Sequence, residues 1–402
     1  MIPHKLNFLI DDLNSKPWVK FLTSYANMYI VGGSVRDSFI DKPVKDIDLV
    51  VEGLSIDVIK FMLESFGKTN IVGESFAVIK FKAFGETEDV DIAVPRTDTK
   101  IGDGHKSFEV NTKNVSIVED LKRRDFTINS IAVNIKTKEI LDPFNGVEDI
   151  KKKLVRATNP SVFIEDPLRM LRGIQFCARF GFFLEDNTLK LMKDNSHLIN
   201  EISGERILEE FEKVFEKKGR IRILLSLLRA TELDMQIFKR KIVGYTNLDF
   251  TSLDKISFYY LICINGSNFT PDLIYSDLFK GDSKMAKNLK VLHETLCKIR
   301  EEREEDLRFI IFKALKQCPE LRDVEIFDFD TKYVINNMIK SKIPMFSSDI
   351  KIDGNDVMEL LGIKNGNEKI GILLNKMSED ALMNKYNWKD KTTCLNHLKT
   401  LI

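Results

Sequence analysis

Two acidic residues with one residue between them, Asp46 and Asp48, are the part of this chain best suited to chemistry. They lie in Lys45-Asp-Ile-Asp-Leu-Val-Val51, which reads as a strand. Strand side chains alternate, so both carboxylates share one face while Ile47, Leu49 and Val51 pack on the other. Hard carboxylate oxygens held this way suit a divalent cation such as Mg²⁺. Shortly upstream, Tyr29-Ile-Val-Gly-Gly-Ser-Val-Arg-Asp37 reads as strand, glycine turn and helix. Ile30 and Val31 suit a buried strand. Gly32 and Gly33 permit a tight turn and the close approach of a ligand. A helix starting near Ser34 turns free N–H groups and a positive dipole end toward that ligand, which favours phosphate. Arg36 adds a fixed charge one turn in. A phosphate cradle beside paired carboxylates is what metal-assisted nucleotidyl transfer needs. Separately, a Gly-Gly turn is commonly a plain turn and Asp-x-Asp commonly a solvated strand edge. Their ordered combination carries the reading.

Three later stretches could complete such a site. Val90-Asp-Ile-Ala-Val94 is strand-like and offers Asp91 as a third carboxylate, with Asp89 a rival on the same face. In Glu119-Asp-Leu-Lys-Arg-Arg-Asp-Phe-Thr-Ile-Asn129, two arginines stand beside an aspartate. Guanidinium groups suit phosphate, and a carboxylate suits a ribose hydroxyl. The bland reading is a capped helix start. Phe163-Ile-Glu-Asp-Pro-Leu-Arg-Met-Leu-Arg172 opens a helix, with Pro167 in its first turn and acids at its N-terminus. Asp166, Arg169 and Arg172 recur every three residues and share a face, while Leu168 and Leu171 serve the packing side. A simple i,i+3 salt bridge is the alternative there. Between these stretches, residues 96–118 hold Gly102, Gly104 and His105 with few apolar anchors. They read as a mobile loop over the site.

Taken together, these stretches resemble a known family. Gly-Gly-x-x-Arg-Asp followed by Asp-x-Asp resembles motif A of the class II tRNA nucleotidyltransferases and bacterial poly(A) polymerases, in the DNA polymerase beta superfamily. No Gly-Lys-Ser/Thr follows the glycines, so this is not a P-loop. Arg123-Arg-Asp-Phe-Thr-Ile-Asn129 resembles motif B. Asp142-Pro-Phe-Asn-Gly146, with Asp149 and Arg156, resembles motif C, and Glu165-Asp-x-x-Arg169 resembles motif D. Ser203-Gly-Glu-Arg-Ile-Leu-Glu-Glu210 resembles the next neck motif.

The resemblance implies an α+β fold: a nucleotidyltransferase head with a mixed sheet over residues 1–150, a neck over 151–215, a helical body over 216–335 and a helical tail over 336–402. It implies a CCA-adding enzyme that uses Mg²⁺, ATP and CTP on the tRNA 3′ end. Asp46 and Asp48 would hold metal, with Asp91 as the third acid. Gly32, Gly33, Ser34, Arg36, Arg124, Asp125, Asn129, Asp166, Arg169 and Arg172 would bind the nucleotide. Chemistry supports one assignment independently. Asp only accepts and Arg only donates hydrogen bonds. Cytosine and adenine each show an amino donor beside a ring-nitrogen acceptor, whereas uracil and guanine show the reverse. An Asp166–Arg169 pair therefore fits C and A, and the resemblance makes it the protein's own template. Relatives often continue the three-residue series with another Arg, but Gln175 stands here. The alternatives are an A-adding enzyme, a poly(A) polymerase or an inactive RNA-binding homologue. Gly73-Glu-Ser-Phe-Ala77 lacks the basic segment usual in poly(A) polymerases, and a CC-only enzyme would usually lack the 96–118 loop.

Composition bounds the rest. The 402 residues suffice for two to four domains, and 43% apolar with 30% charged content marks a globular chain. Net charge is zero, so a nucleic-acid partner needs a local basic surface. Cys177, Cys263, Cys297, Cys318 and Cys394 form no C-x-x-C pair and read as buried apolar residues in a reducing compartment. With no signal-like or membrane-length apolar run, no membrane association is expected and the cytoplasm is the expected compartment. The sequence leaves the oligomeric state open. Beyond residue 215 the pattern is helical and without chemical motifs. The 96–118 loop yields a prediction, because moving from C to the larger A requires the Asp166–Arg169 pair to shift. Deleting Gly102–Lys106 is expected to spare C addition and impair terminal A addition, measured on tRNA lacking CCA and on tRNA ending in CC.

Overall fold

The computed structural model describes residues 2–44, 47–72, 78–100, 108–242, 253–264, 270–301, 307–340, 343–344, 349–383 and 385–402. They divide into two compact units, Met1–Ile242 and Val243–Ile402.

The first unit is built on a seven-stranded sheet. Its strands are β1 (Asn27–Val31), β2 (Asp48–Glu52), β3 (Gly67–Val72), β4 (Val78–Ala83) and β5 (Val90–Ala93), with β8 (Ala132–Asn134) and β9 (Ile140–Leu141). The two intervening strands, β6 (Thr97–Lys100) and β7 (Phe108–Asn111), form a separate antiparallel ribbon. The large sheet runs β3-β4-β5-β2-β1-β8-β9. Only β2 and β5 pair in parallel, in a register that sets Asp48 beside Asp91. The sheet is therefore mixed, as expected. β1 lies at its heart because Met28 to Val31 are all buried, and Tyr29 and Val31 pack with Val50, Ile117, Leu121 and Ala132.

The mobile-loop reading of residues 96–118 needs correction. Its described ends are the β6–β7 ribbon and the start of the Ile117–Lys122 helix. Thr-Asp-Thr-Lys has no apolar face, so the strand signal was weak. Gly102, Gly104 and His105 lie outside the described residues. The N-terminal segment is helical over His4–Ser15 and Pro17–Leu22. Leu6, Ile10, Leu13, Trp18, Val19 and Leu22 are buried, while Phe8 and Phe21 face outward.

Short connections join the sheet to the helices that follow it in the first unit. Asp142 accepts hydrogen bonds from the Gly146 and Val147 amides at 2.6 and 2.9 Å, starting the Gly146–Lys152 helix. Asp149 accepts from Thr127 Oγ1 at 2.7 Å and from Arg156 Nε at 3.0 Å, and Arg156 reaches on to Glu185 at 3.0 Å. The helices Leu168–Phe180, Gly204–Glu216 and Ile221–Ala230 follow. Buried Phe126 meets Phe163 and Phe176 edge-on at centroid distances of 5.6 and 5.7 Å. Gly173 makes room for the Phe126 ring, since a Cβ there would lie 2.8 Å from it.

The second unit is helical throughout its described residues. It includes the helices Lys255–Cys263, Ser283–Glu301, Leu307–Gln317, Glu368–Leu382 and Lys391–Leu401. A C-terminal core joins Val357, Met377, Cys394 and Leu398. Among the described residues no helix is long and apolar enough to cross a membrane. The five cysteines are unpaired, and all but Cys297 are buried.

Gly146 generates a prediction about the site's foundations. A Cβ there would lie 2.1 Å from the Thr127 carbonyl oxygen and 2.8 Å from Ile131. The backbone must move, so Gly146→Ala is expected to cost about 1–3 kcal/mol, as overpacking does. Denaturant unfolding of the full chain checks this.

Candidate active site

A cleft of about 630 Å³ opens where head and neck meet. Gly32 and Gly33, Asp48, the Arg123–Asn129 segment and Asp166, Arg169 and Arg172 all line it. Stretches spread over more than a hundred residues of sequence thus converge on one space.

The glycine turn comes first. Gly32 has φ 68° and ψ −129°, a conformation that L side chains avoid, and it precedes the Gly33–Phe39 helix. A Cβ on Gly32 would lie 2.8 Å from Arg124 Nη1 and 3.7 Å from Asp48 Oδ2. The absent side chain is therefore what lets a phosphate-suited cation and a metal-suited acid approach one turn. Ser34 and Arg36 follow on that helix, both buried.

Two buried aspartates then fix the arginines. Asp120, 1% exposed, accepts from Arg123 Nη2 at 2.6 Å and from Arg124 Nη2 at 3.0 Å. Arg123 also donates to the Arg96 carbonyl at 2.9 Å. Burial by itself would raise the Asp120 carboxyl, but Arg124 and Arg123 outweigh it and hold the group below the usual carboxylate range. Asp120 was not foreseen as a site residue. Its signal was available: an acid three and four residues before two arginines on one helix end.

Asp125 is the second anchor. Arg172 donates to its Oδ2 through Nε at 3.0 Å and Nη2 at 2.8 Å, while Asn129 donates to Oδ1 at 2.9 Å. Asn129 in turn accepts from Arg36 Nη1. Arg36 also pairs with Asp37 at 2.8 Å. Arg36 and Arg172 both stand over the Phe176 ring, 5.2 and 5.5 Å from its centroid. Four residues expected to contact nucleotide, Arg36, Asn129, Asp125 and Arg172, are thus also bonded to one another in a chain from head to neck.

The remaining residues fall into place around this chain. Asp166 accepts from the Leu168 amide at 3.2 Å and Arg169 donates to the Val162 carbonyl at 2.9 Å. Both line the cleft, at the start of the Leu168–Phe180 helix. Gln175 lies in the same wall, 4% exposed. The sequence reading passed over Phe176, Arg179 and Lys213, which line the cleft together with Arg206 and Glu210 of the Ser203–Glu210 stretch. Asp91 does not line it, but stands beside Asp48 on the next strand with Lys80 Nζ at 4.0 Å. Asp89 precedes that strand and is exposed. Asp46 lies outside the described residues. Among the described residues no group of three or more His, Cys, Asp or Glu gathers as a metal set. The two acids that do meet, Asp48 and Asp91, offer only hard oxygen donors, and that donor chemistry fits Mg²⁺.

Comparison with known proteins agrees with this geometry. The mixed sheet, with its glycine turn beside an acidic strand, is followed by a helical region. Residues 28–156 match the family model of the poly A polymerase head domain. Residues 181–240 match that of the probable RNA and SrmB-binding site of polymerase A. Over these two stretches the chain is similar to the head and RNA-binding domains of poly A polymerases. Among curated relatives, the Multifunctional CCA protein of Stenotrophomonas maltophilia is 38% identical over 192 residues, covering 46% of this chain and 45% of that one. The A-adding tRNA nucleotidyltransferase of Aquifex aeolicus is 28% identical over 310 residues, covering 72% of this chain and 37% of its own. The match thus spans about half, or less, of these relatives' length. The Bacillus stearothermophilus CCA-adding enzyme in complex with CTP shares the fold, with a TM-score of 0.69, 21% identity and coverage of 97% and 96% of the two chains. So does the Thermotoga maritima CCA-adding enzyme complexed with tRNA_CCA, with a TM-score of 0.72, 19% identity and coverage of 99% and 95%.

The buried Asp125 pair makes stability depend on pH. Burial alone would raise this carboxyl; Arg172, then Asn129, hold it below the usual range. A depressed folded-state pKa contributes stability that is complete above the unfolded value, about 4, and is lost as pH falls through the folded value. Arg172 keeps 36% of its side chain exposed. Solvent screening then brings the cost of losing the pair to about 1–3 kcal/mol, below that of a fully buried pair. Asp125→Asn is expected to lower stability by that amount at neutral pH and to flatten the acid limb below about pH 4. Denaturant unfolding across pH reads both effects.

Proposed function

We propose that this chain is a tRNA nucleotidyltransferase that adds CMP, CMP and AMP, from CTP and ATP, to the tRNA 3′ end without a nucleic-acid template. The observation that carries the reading is the cleft in which Gly32, Asp48, Arg124, Asp125, Asp166 and Arg169 line one space. Curated relatives named as CCA enzymes, and folds solved with CTP and with tRNA, support it.

In this reading Asp46 and Asp48 would hold Mg²⁺, which when bound neutralises triphosphate charge and favours attack by the 3′-hydroxyl. Asp91 would take the hydroxyl proton. Arg124, fixed by Asp120 against the Gly32 turn, would bind the triphosphate, with Ser34 beside it. Arg36, Asn129, Asp125 and Arg172 would contact the nucleotide while holding the cleft open at the right width. Asp166 and Arg169, one helical turn apart, would read the base edge. The helical segments from the neck onward would grip the tRNA through phosphate contacts, with the body and tail divided near residue 335. The cytoplasm is the proposed compartment. A second reading is an A-adding enzyme, favoured by one fact: the Aquifex aeolicus relative of that name matches 72% of this chain.

The deciding experiment supplies CTP and ATP singly with tRNA ending in the discriminator base, in C or in CC. CCA addition requires C on the first two substrates and A on the third; A on the third alone means an A-adding enzyme. Asp48→Asn is expected to lower incorporation by more than about 100-fold, beyond the loss of a merely supporting partner of a metal ligand. Its tRNA affinity should stay close to the parent's and weaken as salt rises in both.

A further inference from the structure

A second cavity, of about 370 Å³, shares Gly33, Arg36, Asp48 and Arg179 with the main cleft and extends past Lys42 and Lys217. Three cations crowd one ring there. Lys42 Nζ lies 4.7 Å from the Phe180 centroid, and the Arg179 and Arg36 guanidinium carbons lie 4.8 and 4.9 Å from it. Asp37 is the acid they share, 2.8 Å from Arg36 and 3.9 Å from Arg179. Among the described residues, neither Lys42 nor Lys217 has a carboxylate within ion-pair distance. Positive charge therefore exceeds negative charge on the cavity wall. The environment registers the excess: burial, then Arg179, pulls Lys42 below the usual lysine range, and burial, then Arg36, does the same to Arg179. Half-buried like charges repel one another in the ligand-free protein, and a polyanion removes that penalty. Asp48, the proposed metal ligand, borders this cavity as well as the main cleft.

We propose that this cavity is the release subsite for the pyrophosphate leaving group, with Lys42 and Lys217 as its cations. The inference rests on the nucleotidyltransferase reading. In that reaction the 3′-hydroxyl oxygen bonds to the α-phosphorus. The bond from that phosphorus to the bridging oxygen breaks, its electron pair leaves with pyrophosphate, and the hydroxyl proton passes through Asp91 to solvent. The leaving group is then a compact polyanion next to Asp48. Lysine suits its capture and release, because a flexible ammonium can follow a moving anion where a clamped guanidinium cannot.

The test uses the full chain with Mg²⁺ and variants Lys42→Met, Lys217→Met and the pair. Methionine keeps an apolar stem over Phe180 and removes the charge. Titrating pyrophosphate into the incorporation assay should show an inhibition constant about tenfold higher in the double variant, the loss of about one charge-assisted contact. KM for CTP and for tRNA should move less than about twofold, and Lys42→Arg, which keeps the positive charge on an unclamped side chain, should keep most of the parent's pyrophosphate affinity. An unchanged inhibition constant overturns the proposal. So does a raised KM for tRNA at constant pyrophosphate inhibition, which would assign the cavity to an RNA backbone phosphate. If the parent incorporates no nucleotide, the functional reading fails. Calorimetric binding of pyrophosphate then judges the cavity alone, and equal affinity in parent and double variant overturns it.

Discussion

The cleft depends on a carboxylate that is almost entirely buried. Asp125 sits 8% exposed between a helical neck arginine, Arg172, and a head asparagine, Asn129. An unpaired charge in that position would be costly, so the Arg172 contact favours one register of the Leu168–Phe180 helix against the Arg123–Asn129 segment. The same contact aims the next link, because Asn129 can accept from Arg36 only when its amide donates to Asp125. Phe176 completes the arrangement by offering its ring to both guanidinium groups. Head and neck therefore share a register set by hydrogen-bond direction as well as by apolar packing.

This explains how so many arginines can face one cleft. Several are held by an acid: Arg123 and Arg124 by Asp120, Arg172 by Asp125, and Arg36 by Asp37, which Arg179 also approaches at 3.9 Å. The guanidinium groups stay charged and immobile, so a triphosphate would meet donors already oriented. Gln175 fits the same logic. It lines the wall that already carries Arg172 and Arg179, and a buried neutral amide there avoids another guanidinium that would need an acid of its own.

Much of this was legible in the sequence because local chemistry carried it. The Gly32 turn announced itself through adjacent glycines between a β-branched strand and a helix, and the three-residue spacing of Asp166, Arg169 and Arg172 placed them on one wall. What escaped was tertiary. Nothing local shows that Asp125 will choose Arg172, 47 residues away, or that Gly173 exists to admit Phe126. The β6–β7 ribbon was hidden for the opposite reason, since Thr97-Asp-Thr-Lys100 holds no apolar residue and so leaves no periodic signal. In the N-terminal helices residue type alone is a poor guide: Phe8 and Phe21 are apolar and exposed, while helix phase turns Leu6 and Trp18 inward. Asp120 was readable and was overlooked because its role is to hold other residues.

The sheet order carries a consequence for how the protein is made. β1 lies between β2 and β8, and its partner Ala132 follows Val31 by 101 residues. At a synthesis rate of about 5–20 residues per second, that flank of β1 waits roughly 5–20 s on the ribosome before it can pair. During that interval a nearly continuous apolar strand, Met28 to Val31, has an open hydrogen-bonding edge, the arrangement that invites pairing with other chains. The nascent head is therefore a natural client for a holding chaperone until about residue 134 has emerged from the exit tunnel.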